Sequence, residues 1–107
     1  MSISVLSASA AAMPRAKSPQ AAAKGLYQAW QAKSRITAKK YANAEAVDKL
    51  FGVKRHTMSL TGCTKNDDGD FECIYKNAKF DLSFAFIVKS VGSSYRVVSI
   101  TFSSEAI

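Results

Sequence analysis

The segment between Cys63 and Cys73 constrains the fold of this chain more than any other. The two cysteines lie ten positions apart, on either side of the acidic turn Asp67-Asp68-Gly69. If these three residues form the loop of a β-hairpin, with Gly69 in the left-handed conformation, counting outward places Cys63 opposite Cys73. A two-residue turn would instead oppose Cys63 to Ile74 and put the thiols on opposite faces. The three-residue loop is therefore the register that permits a disulfide.

Two alternatives to the disulfide remain at this stage. The thiols can stay reduced and pack as small apolar groups. They can also bind a metal, although zinc prefers four ligands and only His56 would add a further nitrogen or sulfur ligand. A disulfide would indicate an envelope or extracellular location and would stabilise the domain by about 2–3 kcal/mol.

Apolar residues recur at every second position after Lys54, which predicts four β-strands joined by short loops. In the hairpin register, Phe71 and Tyr75 share the face of the disulfide, and the opposite face takes Met58, Leu60 and Ile74. The third strand has an apolar face formed by Phe80, Leu82, Phe84, Phe86 and Val88. After a turn at Gly92, the last strand alternates Val98, Ile100 and Phe102 with Val97, Ser99 and Thr101.

Helical spacing characterises the region before the strands. Ser18 as N-cap and Pro19 at the first position begin a helix with an apolar face made of Ala23, Leu26, Tyr27 and Trp30. A second, shorter segment groups Ala38, Tyr41 and Ala42, and Asn43 caps a third that Gly52 ends. Helices followed by an antiparallel meander predict an α+β fold, with the helices on one face of the sheet.

The chain length of 107 residues is enough for one domain. Residues 1–17 are rich in Ser and Ala and are predicted to be a disordered tail or the remnant of a signal peptide, without its basic n-region. Residues 18–107 are predicted to form a single domain. No run of apolar residues approaches the length of a membrane span.

Several runs resemble small secreted bacterial domains of the NTF2-like, cystatin-like group. The resemblance spans about residues 19 to 103, and the runs that carry it are Gly25-Leu26-Tyr27-Gln28-Ala29-Trp30, Ala46-Val47-Asp48-Lys49-Leu50-Phe51, Gly62-Cys63, Phe71-Glu72-Cys73-Ile74-Tyr75 and Tyr95-Arg96-Val97-Val98-Ser99-Ile100-Thr101-Phe102. The resemblance implies helices wrapped against a curved sheet in a cone with a pocket at its open end. Enzymes of this group, such as SnoaL-like cyclases and ketosteroid isomerases, use an aspartate or histidine inside the cone.

The sequence offers little catalytic chemistry. His56, the single histidine, stands beside Arg55 at the start of a strand and is assigned to the surface. Alternation sends Asp81 away from the core, and Asp67-Asp68-Gly69-Asp70 lacks the spacing of a calcium loop. We therefore predict no catalytic residue, metal or cofactor. A small isomerase-like or cyclase-like enzyme is the alternative implied by the resemblance.

Charge is distributed unevenly along the chain. Residues 1–56 contain ten Lys or Arg and two acidic residues, a net charge of +8, whereas residues 57–107 contain five and six, a net charge of −1. The helical half thus offers a surface for an anionic envelope partner, formed by Lys33, Arg35, Lys39, Lys40, Lys54 and Arg55. A solvated helix exterior without a dedicated partner is the alternative. Nucleic acid is disfavoured because Tyr27 and Trp30 fall on the predicted core face.

Aromatic residues suggest a second type of site. Five of them are expected in the core and can also line a small apolar pocket: Tyr27, Trp30, Phe51, Phe84 and Phe102. The sequence therefore predicts a secreted or periplasmic, non-enzymatic binding domain, either monomeric or homodimeric, whose partner is an unknown protein, a small apolar ligand or an anionic envelope surface.

Overall fold

The computed structural model describes residues 16–77, 79 and 82–104. Within them, three helices come first and four strands follow: α1 (Pro19–Gln31), α2 (Arg35–Ala38), α3 (Ala44–Phe51), β1 (Ser59–Lys65), β2 (Phe71–Asn77), β3 (Leu82–Val91) and β4 (Ser94–Ser104). The strands form one antiparallel sheet in the order β1-β2-β3-β4. This confirms the α+β class and the meander. Phe80 and Asp81 lie outside the described residues.

The helices begin where the capping residues predict. The Ser18 side chain accepts a hydrogen bond from the Ala21 amide at 3.0 Å, with Pro19 in the first turn of α1. Asn43 caps α3 in the same way, accepting from the Ala46 amide at 3.0 Å. Each cap satisfies an amide that has no partner inside its helix, which fixes the first residue of the element.

The hairpin between β1 and β2 has the predicted register. Cys63 pairs with Cys73 at a Cα–Cα distance of 4.0 Å, and the two form a disulfide. The loop is closed by the Gly69 amide, which donates to the Asn66 carbonyl at 3.0 Å, and Gly69 has φ 93°. Because that conformation favours glycine, the turn residue and the disulfide select the same register.

Two β-bulges change which side chains face the core. In β1, Leu60 pairs with Tyr75 and Gly62 with Ile74, so Thr61 is an extra residue. The prediction that Leu60 lies on the face opposite the disulfide is therefore wrong, because each inserted residue reverses the alternation beyond it. Met58, assigned to the same face, is also buried in the core.

The second bulge lies in β4. Ile87 pairs with Ser99 and Val88 with Val97, which leaves Val98 as the extra residue. Val97 is fully buried and Val98 only partly so. The predicted alternation, which grouped Val98 with Ile100, therefore fails at this position for the same reason as in β1.

Aromatic rings fill the core between the helices and the inner face of the sheet. Trp30 meets Phe84 edge to face at a centroid distance of 5.4 Å, and both are buried. Tyr27 stacks on Tyr75 at 4.6 Å, while the Tyr27 hydroxyl accepts a hydrogen bond from the Met58 amide at 2.9 Å. Burial, with a smaller contribution from Tyr27, raises the pKa of Tyr75 well above its usual range.

The helical layer is fastened to the outer edge of β4. The Val97 amide donates to the Tyr41 carbonyl at 2.8 Å, and the Asn43 amide donates to the Val97 carbonyl at 3.1 Å. The Tyr95 amide donates to the carbonyl of Ala16 at 2.9 Å, and Ala16 is buried. Ala16 belongs to the segment predicted as a tail, so the described structure begins before the predicted boundary at Ser18; residues 1–15 lie outside it.

Candidate functional site

An open pocket of about 290 Å³ lies between the end of α1 and the residues after α3. It is lined by Trp30, Lys33, Phe51, Val53 and Arg55. Two of the residues predicted to line an apolar pocket therefore lie together with two of the residues predicted to bind an anionic partner. The pocket has an apolar, aromatic part and two cationic side chains.

Hydrogen bonds to the last residue of α1 hold the two sides of this pocket together. The Arg55 guanidinium donates to the Gln31 carbonyl at 2.8 Å. The Gln31 side chain in turn donates to the His56 carbonyl at 2.9 Å. These bonds fix the segment after α3 against the end of α1, so Arg55 stays beside the pocket.

Lys33 adopts an unusual backbone conformation. Its φ is 60°, the only positive φ of a residue other than glycine in the described chain. The Lys33 amide donates to the Trp30 carbonyl at 3.1 Å and the Ser34 amide to the Ala29 carbonyl at 2.9 Å, which is the Schellman pattern at the end of α1. Glycine usually occupies this position because a side chain in the left-handed conformation costs about 1–2 kcal/mol. This chain has a lysine there despite that cost, and Lys33 lines the pocket.

Arg35 connects α2 to the pocket. Its guanidinium lies over the Phe51 ring, 5.1 Å from the centroid, and pairs with the Asp48 carboxylate at 2.6 Å. Both side chains of this ion pair are more than half exposed, so the pair contributes little to stability. Its role is positional, since it holds α2 next to one wall of the pocket.

We refer to the six predicted basic residues as the basic face: Lys33, Arg35, Lys39, Lys40, Lys54 and Arg55. All six are exposed. Within the ranges that the structure describes, Arg35 is the one member with an acidic partner. Lys39, Lys40 and Lys54 do not line the pocket. The basic face therefore leaves most of its charge available to a ligand.

Sequence reasoning missed two residues at this site. Val53 lines the pocket, and no motif or periodicity in the sequence places it there. Ile36 is 78% exposed and sits among the basic residues. The four residues of α2 are too few to show from periodicity which side of the helix packs inward, so the sequence does not predict the exposure of Ile36.

Three of the predicted pocket residues lie elsewhere. Tyr27, Phe84 and Phe102 do not line this pocket. Phe84 is fully buried, and Phe102 packs against it at 4.9 Å while its ring lies 5.5 Å from the Lys49 ammonium. These rings belong to the core and its margin.

Two further pockets are less suited to a charged ligand. One, of about 240 Å³, lies against Tyr41 and is lined by uncharged residues. The other, of about 160 Å³, has Glu45 and Lys49 in its wall, whose charges oppose each other. The pocket beside Lys33 is thus the one of these three with charge of a single sign.

Few groups suited to catalysis come together in the part of the chain that the structure describes. No charged side chain is buried there, Tyr75 is the buried residue with a titratable group, and no group of three potential metal ligands comes together. His56 is half-buried and contributes its carbonyl to the bond from Gln31. Asp81, which alternation assigned to solvent, lies outside the described residues.

Comparison with protein families, curated proteins and solved structures finds no match to this chain. In the described ranges, no helix has the length and hydropathy needed to cross a membrane. The disulfide fits an extracellular location, because cytosolic thiols are normally kept reduced.

Proposed function

We propose that this chain is a non-enzymatic, exported binding domain whose basic face recognises an anionic partner in the cell envelope. The observation that carries the proposal is the pocket in which Lys33 and Arg55 meet Phe51 and Val53. No acidic residue lines it. Two cations beside an apolar surface suit a ligand in which an anionic group is joined to an apolar body.

The charge and the disulfide support the rest of the proposal. The net charge of +7 favours association with anionic surfaces, and its excess belongs to the helical half. The disulfide between Cys63 and Cys73 supports export to an oxidising compartment. Membership of the NTF2-like group remains part of the proposal; it is supported by helices packed on an antiparallel sheet and by two bulges, which bend strands.

The isomerase-like alternative requires an ionisable group inside a cavity. The described core contains apolar and aromatic side chains, with Tyr75 as its most deeply buried titratable group. Burial raises the pKa of Tyr75 further above neutral pH, so its hydroxyl is poorly suited to act as a general base. No observation on the described residues favours the enzymatic reading over binding.

Retention on an immobilised polyanion such as heparin tests the proposal. The double variant K33Q/R55Q removes both cations of the pocket, and K65Q/K76Q removes two exposed lysines of the sheet with the same change in net charge. We expect K33Q/R55Q to elute at a clearly lower salt concentration than K65Q/K76Q. Equal elution of the two variants would show that retention follows net charge alone, and the proposal would be wrong. Thermal unfolding of each variant verifies that it is folded.

A further inference from the structure

An exposed apolar side chain stands within the basic face. Ile36 is 78% exposed, more than Val91 at 52%, and these are the two exposed large hydrophobic residues among those described. A single exposed isoleucine on a protein surface is common. The surroundings of Ile36 are less common, because basic residues precede and follow it in the same short segment.

The helical turn places lysines on the same side as Ile36. Lys39 and Lys40 follow it by three and four positions, the spacing that brings side chains together on a helix. The Lys39 amide donates to the Arg35 carbonyl at 3.0 Å, so the helical turn continues into these lysines. Both lysines are exposed, as is Lys33 three residues before Ile36. Ile36 therefore projects from a cluster of cations.

Contacts on the other side of α2 hold Ile36 outward. Ala38 is fully buried, and the Ser34 side chain caps the helix by accepting from the Thr37 amide at 3.2 Å. Arg35 is fixed by Asp48 and by the Phe51 ring. Turning Ile36 into the core would expose Ala38 and separate Arg35 from the Phe51 ring. The exposure of Ile36 therefore follows from the way α2 packs.

We infer that the basic face docks on an anionic lipid bilayer, with Ile36 entering the interfacial layer while the surrounding cations contact the phosphate groups. The inference rests on the proposed function and names its partner. A bilayer surface offers an apolar phase directly beneath its negative charges, which matches this arrangement. An anionic cell-wall polymer would satisfy the lysines and leave Ile36 in water. The complementarity of both the charge and the apolar residue therefore favours lipid.

Vesicle binding of the full chain tests this assignment. Co-sedimentation with vesicles of phosphatidylcholine containing phosphatidylglycerol is compared with vesicles of phosphatidylcholine alone. We expect the protein to bind the anionic vesicles, and Ile36→Ser to weaken that binding about tenfold, since an apolar side chain is lost from the interface. Val91→Ser removes the other exposed apolar residue and serves as the matched control, with binding unchanged.

A tryptophan variant supplies an independent signal. In Ile36→Trp the new indole should shift its fluorescence to the blue on adding anionic vesicles, by more than any change that Trp30 gives in the unaltered chain. The heparin measurement separates the two proposals, because Ile36→Ser should leave retention unchanged. If the protein binds heparin but not anionic vesicles, or if Ile36→Ser binds vesicles as tightly as the unaltered chain, the bilayer assignment is overturned and the proposed function stands. If it binds neither, the proposed function fails as well.

Discussion

The cystine hairpin and the basic face differ in whether their reactive or charged groups are bonded within the fold. In the hairpin, both cysteines are bonded to each other and Gly69 occupies the conformation that suits it. On the basic face, the cations are exposed and Lys33 occupies a position that suits glycine. The groups that build the hairpin have their bonding partners inside the fold. The exposed cations of the basic face are available to bind a partner. The two regions should therefore respond differently to mutation.

Removal of the disulfide should have the largest effect on stability. The double variant C63A/C73A opens a loop that the bond closes, and we expect the free energy of unfolding to fall by about 2–3 kcal/mol in denaturant titrations. Heparin retention of the folded variant should stay the same, because the hairpin does not contribute to the basic face. A parallel loss of retention would show that the two regions are coupled.

Gly25 tests how closely the helical layer is packed. A Cβ added there would overlap the Tyr41 ring, so Gly25→Ala should lower the free energy of unfolding by about 1–2 kcal/mol, although alanine favours the helix. Gly52→Ala is the matched control, since its Cβ meets only ordinary contacts at 3.4 Å or more and its φ is −80°. If the two variants were equally stable, the close contact between α1 and Tyr41 would not limit the packing.

Alkaline pH should lower the free energy of unfolding through Tyr75. Its pKa in the folded chain is raised above the usual value of 10.0, so above about pH 10 the unfolded chain releases a proton that the folded chain retains. The stabilisation is complete below pH 10 and is lost as pH rises, by at most about 1.4 kcal/mol per pH unit. Denaturant titrations of Tyr75→Phe should show a shallower decline. An unchanged decline would assign the effect to other groups.

Substitution of Lys33 should have the smallest effect on stability. It should also distinguish the basic face from the hairpin most clearly. Lys33→Gly relieves the left-handed backbone, so we expect the free energy of unfolding to rise by about 1 kcal/mol while heparin retention falls. Lys39→Gly removes the same charge where φ is −66°, and it should lose up to about 1 kcal/mol instead. A stability change of the same sign in both variants would contradict the conformational explanation.

The hairpin could be predicted from the sequence because its determinants are local. Asp67-Asp68-Gly69 sets the turn, and the parity of the two cysteines selects the register. The bulges at Thr61 and Val98 could not be predicted, since an inserted residue has no compositional signal and merely reverses the alternation. As a result, Leu60 and Val97 were assigned to the wrong faces.

The site was predictable only as a set of charges. The sequence predicts Lys33 and Arg55 as basic surface residues, but the pocket between them depends on two hydrogen bonds that join Gln31 to residues 24 and 25 positions away. The sequence does not predict the left-handed conformation of Lys33, because the residue at that position after a helix is usually glycine. The exposure of Ile36 could not be predicted, because it depends on which side of α2 packs against the core. Ala38 lies on that side.

The backbone bonds from Ala16, Tyr41 and Asn43 to the first half of β4 have a consequence for self-association. They pair the backbone of Tyr95 and Val97 on the outer border of the sheet, so these positions cannot take up a strand of another chain. The first half of β4 is therefore protected against strand addition by a second copy of the chain.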